Sequence, residues 1–469
     1  MARKKNILLT DVAVDDYAAE GKSLARVDGK VIFIDGAVPG DRVNLRLTKN
    51  KKDWAEGVIT GFTGYSADRT EPFCSHFGVC GGCRWQMLPY EKQLMYKQQQ
   101  VVDNLTRIGK VALPPIEPIL GAENTRYYRN KMEYTFGTRR FLLPEELGNP
   151  DISPDQPVAG FHARGMFDKL VDIDICHLQA EPTNRIRKAI KAFAIEKGLP
   201  FYDIRTHQGW LRNMQVRLCT TGELMVNVVF GDDRPKPRKA LLDHLIRLFP
   251  EITTLLYTIN SKHNDSIFDL EAIAYHGKGY VIEQLEDFRF KIGPKSFFQT
   301  NTRQGTALYQ VTREFAGLTG TETVYDLYCG TGSIGIFVSR QAGKIIGVEM
   351  IPEAIEDARE NAALNGLPNS SFYAGDVIDI CDDAFFDQHG RPDVIITDPP
   401  RAGMHDKLVR KILDMEAPTV VYVSCNPATQ ARDLNGLDEK YEVTRVRPVD
   451  MFPHTHHIEN VVQLKLRNR

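Results

Sequence analysis

The sequence predicts a multidomain protein: an N-terminal OB-like β-barrel, a central α+β domain and a C-terminal α/β domain built on a Rossmann-like sheet. Three observations predict it. At 469 residues the chain is too long for one compact core. Residues 7–62 place short apolar runs between Gly and Asp, as small antiparallel barrels do. From about residue 290, strand-like runs alternate with helix-like ones, the pattern of a parallel doubly wound sheet. The expected boundaries are 1–63, 64–289 and 290–469.

The barrel strands are read in "NILLTDVAVDD", "LARVDGKVIFIDGAV", "DRVNLRLTKN" and "WAEGVITGF". The barrel serves either a structural purpose or, with "KNKK" at its tip, RNA binding. Residues 90–108 have helical apolar spacing, with Gly109 as the stop and Pro114 beyond, and this helix is expected to pack on the catalytic domain. Strands follow in "YYRNKMEYTFGT", "VAGFHARG", "KLVDIDIC", "MQVRLCTTGELMVNVVFG" and "TTLLYTIN", with helices near 180–197 and 236–248. "FLLPEELGNPDISPDQP", rich in Pro and acids, reads as a surface insertion. In the last domain "TVYDLYC", "KIIGVEM", "SSFYAGDV", "DVIITDPP" and "TVVYVSC" are strands. "GTGSIGIFVSR" opens a helix, and "IPEAIEDARENAALNG" is a helix closed by Gly366. Ligands of such a sheet lie beyond the carboxyl ends of its strands.

Composition narrows the class. Hydrophobic content of 42% and charged content of 26% are those of a soluble globular protein. A net charge of −2 argues against a uniformly basic nucleic-acid binder but leaves room for a local basic groove. There is no apolar run long enough to span a membrane, and "MARKKNILLT" lacks the apolar core of a secretory signal. A cytoplasmic monomer is expected. In that compartment the eight cysteines are not a disulfide framework.

Three constellations carry chemistry. Gly330, Gly332 and Gly335 form G-x-G-x-x-G after a strand, which turns backbone N–H groups and a helix start towards a ligand. Glu349 ends the next strand, where a carboxylate can accept ribose hydroxyls, and Asp398 ends the fourth. Asp326, Gly330, Glu349, Asp376 and Asp398 together resemble S-adenosylmethionine-dependent methyltransferases; a dehydrogenase is the alternative, without assigned hydride-transfer machinery. Cys74, Cys80 and Cys83 form C-x5-C-x2-C, and Cys176 is the candidate fourth thiolate at the end of a strand. Zinc and a [4Fe–4S] cluster both fit four thiolates, in a closed structural site. Cys425 follows a buried strand and precedes Asn426-Pro427, over the donor crevice. A thiolate there suits conjugate addition to an electron-poor ring, such as carbon 6 of uracil. Addition makes carbon 5 nucleophilic, and a base must later remove its proton. Glu459, in "DMFPHTHHIENV", is the candidate base. His454, His456 and His457 are read as packing and hydrogen bonding, and Cys219 and Cys381 as core thiols.

"SFFQTN", "DLYCGTGSIG", "TDPPRAG", "VSCNPAT" and "DMFPHTHHIENV" resemble the RNA uracil-5-methyltransferases over nearly the whole chain, with a TRAM-like barrel. The resemblance implies Cys425 as nucleophile and Glu459 as base. It implies S-adenosylmethionine binding by Gln299, Tyr328, Gly330, Gly332, Ser333, Glu349, Asp376 and Asp398, Ser333 standing where many relatives have Asn. It favours [4Fe–4S] over zinc at the four cysteines. The expected product is 5-methyluridine in 23S ribosomal RNA. The alternatives are a transfer RNA substrate and a non-catalytic RNA-binding or RNA-folding protein. Phe297 or Phe298 would stack on a flipped base. Arg126, Arg129, Lys131, Arg139 and Arg140 either line an RNA path or form a solvated strand face.

Overall fold

The computed structural model describes residues 7–467; the basic start of the chain, 1–6, lies outside them. The first sheet has six strands in the order Leu8–Ala13, Arg42–Asn50, Trp54–Gly64, Lys30–Ile34, Ser23–Val27 and Asp16–Tyr17. It closes over Val12, Ala25, Ile32, Ile34, Val43 and Leu45. These residues alternate with more exposed ones along their strands, so one face is buried.

The central domain is a seven-stranded sheet with two helices, Thr183–Glu196 and Pro235–Leu248, packed on it through Ile186, Ile190, Leu241 and Leu245. The strand expected to end at Cys176 stops at Asp172. The Asp172 carboxylate accepts the Ala159 N–H (3.0 Å) and a Lys191 bond (2.6 Å), which ends the ladder. Cys176 lies in the following turn, its N–H donated to Asn184 Oδ1 at 2.9 Å.

The expected boundary at 289/290 cuts through a strand. The hairpin Val281–Leu285 and Phe288–Ile292 packs into the core of the last domain against Leu308, Phe315 and Val324. Hydrophobic burial thus assigns it to the last domain. The helix Tyr90–Asn104, extended by a turn to Gly109, packs through Val101 and Leu105 on Ala431 and Leu434. It therefore packs on the last domain, as expected.

The sheet of the last domain runs Ser370–Ala374, Lys344–Glu349, Thr323–Leu327, Val394–Thr397, Thr419–Ser424, Glu459–Leu466 and Tyr441–Val449. Sequence reading found the first five strands and missed the last two. It also expected a wholly parallel sheet, but Glu459–Leu466 is antiparallel to both of its neighbours. That reversal matters chemically. A strand that begins at the carboxyl edge presents its first residue, Glu459, where the parallel strands end.

The loop 450–458 before Glu459 is clamped from several elements. Lys97 Nζ donates to Asp450 Oδ1 at 2.6 Å, both side chains wholly buried. Tyr90 Oη donates to Asp450 Oδ2 (2.8 Å), Asn301 Nδ2 to the Met451 carbonyl (2.9 Å) and Tyr128 Oη to the Pro453 carbonyl (3.0 Å). Removing one partner of such a buried ion pair costs about 3–5 kcal/mol, so the loop is held rigidly.

Candidate active site

The donor crevice opens at the ends of the first, second and fourth strands of the last domain. Tyr328 adopts left-handed backbone (φ +60°), a strained conformation for a non-glycine residue. It turns the chain into Gly330 and Gly332 (φ +53° and +76°). A Cβ on Gly332 would fall 2.9 Å from the Phe372 ring, so glycine is required there; a Cβ on Gly330 would meet only open space. Glu349 accepts the Gly330 N–H (3.3 Å) and the Ile351 N–H (3.0 Å). Asp326 accepts the Gly335 N–H at 2.8 Å through Oδ2, while its buried Oδ1 has no partner. Burial pushes the Asp326 carboxyl up to about 7.

The other predicted donor ligands gather around this loop. Ser333 Oγ is 2.9 Å from Tyr309 Oη. Gln299 is buried, and its carbonyl accepts Asn130 Nδ2 at 2.9 Å. Asp376 caps a short helix by accepting the Ile378 N–H (2.9 Å), and with Glu349 it faces the Tyr328 phenol. An open glycine, an unpaired buried acceptor and a ring of carboxylates fit a ligand bearing hydroxyl and amino donors.

Cys425 and Glu459 meet through strand register. Ser424 pairs with Asn460, so one step further Cys425 stands opposite Glu459. Asn426 then caps the helix Pro427–Leu437, accepting the Ala428 N–H at 3.2 Å. The helix start ends the strand and leaves Cys425 half-buried at the edge. Glu459 is only 6% exposed. Burial, then the charges of Glu459 and Asp398, push the Cys425 thiol up to about 11, and Arg401 opposes them. Burial and Asp398 likewise hold Glu459 well above the usual carboxylate range. Burial raises Asp398 to about 7. Sequence reading took only the aspartate from "TDPPRAG" and passed over Arg401, whose charge opposes the rise of the thiol.

The fold and its crevice can be compared with known proteins. A methyltransferase-domain family model matches residues 318–452. An uncharacterized RNA methyltransferase of Bacteroides thetaiotaomicron is 54% identical, over 96% of this chain and 100% of its own length. One from Porphyromonas gingivalis is 53% identical, over 96% of this chain and 98% of its own. Among solved structures, a Pyrococcus abyssi tRNA (uracil-54, C5)-methyltransferase in complex with S-adenosyl-L-homocysteine superposes with a TM-score of 0.75. It shares 26% identity, over 97% of this chain and 100% of that one. The chain belongs to the RNA (uracil-C5)-methyltransferase family. It is an S-adenosylmethionine-dependent RNA methyltransferase.

In this methyltransferase Cys74, Cys80, Cys83 and Cys176 line one cavity of about 550 Å³, together with His76, His177 and Lys131. Burial raises the Cys80 and Cys83 thiols to about 11 and 12. Among the described residues no three His, Cys, Asp or Glu side chains stand close enough to hold a metal ion.

The expected RNA-facing residues divide. Phe297 is 70% exposed and Phe298 is buried in the core. Arg139 and Arg140 are paired with Asp155 and Glu146, so they belong to a solvated strand face. Arg126 stacks over the Phe73 ring (3.9 Å), and Arg129 reaches Thr300 Oγ1 (3.4 Å) near Phe297. Lys131 lies on the wall of the cysteine cavity. His454 binds Gln93 Nε2 through Nδ1 (3.2 Å), and His457 Nδ1 lies 3.4 Å from Arg401. Cys219 and Cys381 are core thiols.

Proposed function

We propose that this enzyme makes 5-methyluridine, with Cys425 as nucleophile and Glu459 as base. The observation that supports this most is the strand register that sets Glu459 opposite Cys425 at the donor edge. The Cys425 thiolate adds to carbon 6 of a flipped uracil, and the π electrons move onto carbon 5 and its carbonyl. S-adenosylmethionine, held by Gln299, Tyr328, Gly330, Gly332, Ser333, Glu349, Asp376 and Asp398, supplies the methyl group as a cation equivalent. Glu459 then takes the carbon 5 proton, the double bond re-forms and the carbon 6–sulfur bond breaks. Exposed Phe297 offers a stacking face for the flipped base.

The same reading assigns a [4Fe–4S] cluster to Cys74, Cys80, Cys83 and Cys176. Four thiols that line one cavity support a shared metal group there, and the family resemblance favours iron–sulfur over zinc. It would cross-link residues 74–83 to the turn at Cys176. The segment just before the strand Lys131–Arg139 joins that region to residue 300, since Arg129 N–H donates to the Leu178 carbonyl (2.8 Å) and Asn130 N–H to the Thr300 carbonyl (2.7 Å). Protein purified anaerobically is expected to carry about four iron and four sulfide per chain; stoichiometric zinc without iron overturns the assignment.

The substrate proposed is 23S ribosomal RNA, from the cysteine set and the barrel. The tRNA specificity of the Pyrococcus abyssi neighbour favours transfer RNA as the second reading. Incubation with labelled methyl donor and each RNA decides. Label is expected in uridine of 23S RNA; transfer only to tRNA selects the second reading, and no transfer to either sinks both.

A further inference from the structure

We propose that Phe268 is a second base-stacking platform on this enzyme: it receives an unpaired nucleotide of the RNA strand close to the target uridine. The inference rests on the reading of Phe297 as the face that stacks on the flipped base.

Phe268 is 74% exposed, the most of any large hydrophobic residue among the described residues. It stands on the loop 260–270, which follows the strand Thr254–Ile259 of the central sheet. An apolar ring in water is ordinary on a loose loop, but this loop is held firmly. The buried Arg212 guanidinium donates to three of its carbonyls, those of Asn260 (2.8 Å), Lys262 (2.6 Å) and Asn264 (2.7 Å), and through Nε to Asp265 Oδ1 (3.0 Å). Asn260 Nδ2 closes the turn on the Asn264 carbonyl at 3.0 Å. Ile267, next in the chain to Phe268, is buried. The Phe268 ring joins none of the five hydrophobic clusters. A fixed loop thus carries a ring that the fold does not use.

That ring is continuous with the donor edge. Lys295 Nζ donates to the Phe268 carbonyl at 3.0 Å and to the Leu270 carbonyl at 2.9 Å. Lys295 stands two residues before Phe297, and the Phe297 carbonyl lies 3.5 Å from Thr331 Oγ1, between Gly330 and Gly332. One short segment therefore joins Phe268, Phe297 and the glycine loop. Charge fits the same occupant. Asp265 and Asp269 of the loop are paired with Arg212 and Lys262. Lys295 is exposed and, among the described residues, forms no ion pair. Its two carbonyl bonds leave one of its N–H donors for a phosphate. Flipping a uridine out of a strand also strips its neighbours of a stacking partner. A second aromatic face offsets part of that loss, and it does so for any base.

The test is binding of a fluorescein-labelled oligouridylate, followed by anisotropy without methyl donor. Phe268→Ala is expected to weaken binding about tenfold and Phe268→Trp to keep it. Affinity for S-adenosylhomocysteine and thermal melting should stay as in the wild type, because the ring is exposed and outside the donor crevice. In methylation assays Phe268→Ala should raise KM for RNA rather than lower kcat. Wild-type affinity for the oligouridylate in Phe268→Ala overturns the proposal. A change in its sedimentation without a change in RNA affinity assigns the ring to a protein contact and overturns it as well. Phe297→Ala tests the reading beneath: undiminished methylation by that variant removes Phe297 as the stacking face, and the two failures are read in different variants.

Discussion

Cys425→Ala is expected to abolish methyl transfer to RNA, by about 10⁴-fold or more, while leaving the fold and RNA binding intact. The size follows from chemistry. Without addition to carbon 6, carbon 5 of uracil is a poor nucleophile, and no neighbouring side chain can substitute. Asp398 and Glu459 are oxygen acids held towards their neutral forms by burial. The structural cost is small, because Cys425 is half-buried at a strand end rather than in a core cluster. Loss of one thiol there changes stability by roughly 1 kcal/mol or less. Methyl incorporation and thermal melting measured on the same preparation check both halves. Retained turnover in a folded variant would rule out the nucleophile role. The same experiment addresses the non-catalytic alternative, since an RNA-folding protein would bind and remodel RNA equally well with alanine.

Much of this site was legible because its chemistry is written in local patterns. Glycine loops, strand-end acids and a strand followed by Asn426-Pro427 are short-range signals, and the structure places Gly330, Glu349, Asp398 and Cys425 at one edge. Glu459 was read as the partner of Cys425 from the motif and the need for a base, but the strand register that sets them opposite was not legible. It depends on the direction of Glu459–Leu466, and direction is a property of the assembled sheet. "YEVTRVRPV" and "ENVVQLKL" do alternate as strands should, so period-2 reading could have found them. Arg401 was passed over for a different reason. A lone arginine after Pro-Pro has no pattern of its own, and only the contacts to Asn426 and His457 show where it points. The basic run from Arg126 to Arg140 shows the converse limit. Composition grouped five cations, and strand geometry gave two of them carboxylate partners.

Glu459→Gln is expected to trap the enzyme on its RNA as a covalent complex. Glutamine keeps the shape of the side chain but cannot take up the carbon 5 proton. Addition and methylation then proceed, elimination stalls, and the carbon 6–sulfur bond persists. The complex should survive denaturing electrophoresis, approach one RNA per chain and carry the methyl group; it should be absent from the double variant with Cys425→Ala. Normal turnover by Glu459→Gln would assign the base elsewhere. The pH dependence gives an independent check. Burial and Asp398 hold Glu459 protonated above the ordinary carboxylate range, and Cys425 is raised to about 11, so both groups must lose protons to act. In the wild type kcat/KM should therefore climb with pH through the neutral and mildly alkaline range. In Glu459→Gln adduct formation should still climb, since it needs only the thiolate. Its midpoint should lie lower, because the variant removes one of the two acids that raise the Cys425 thiol.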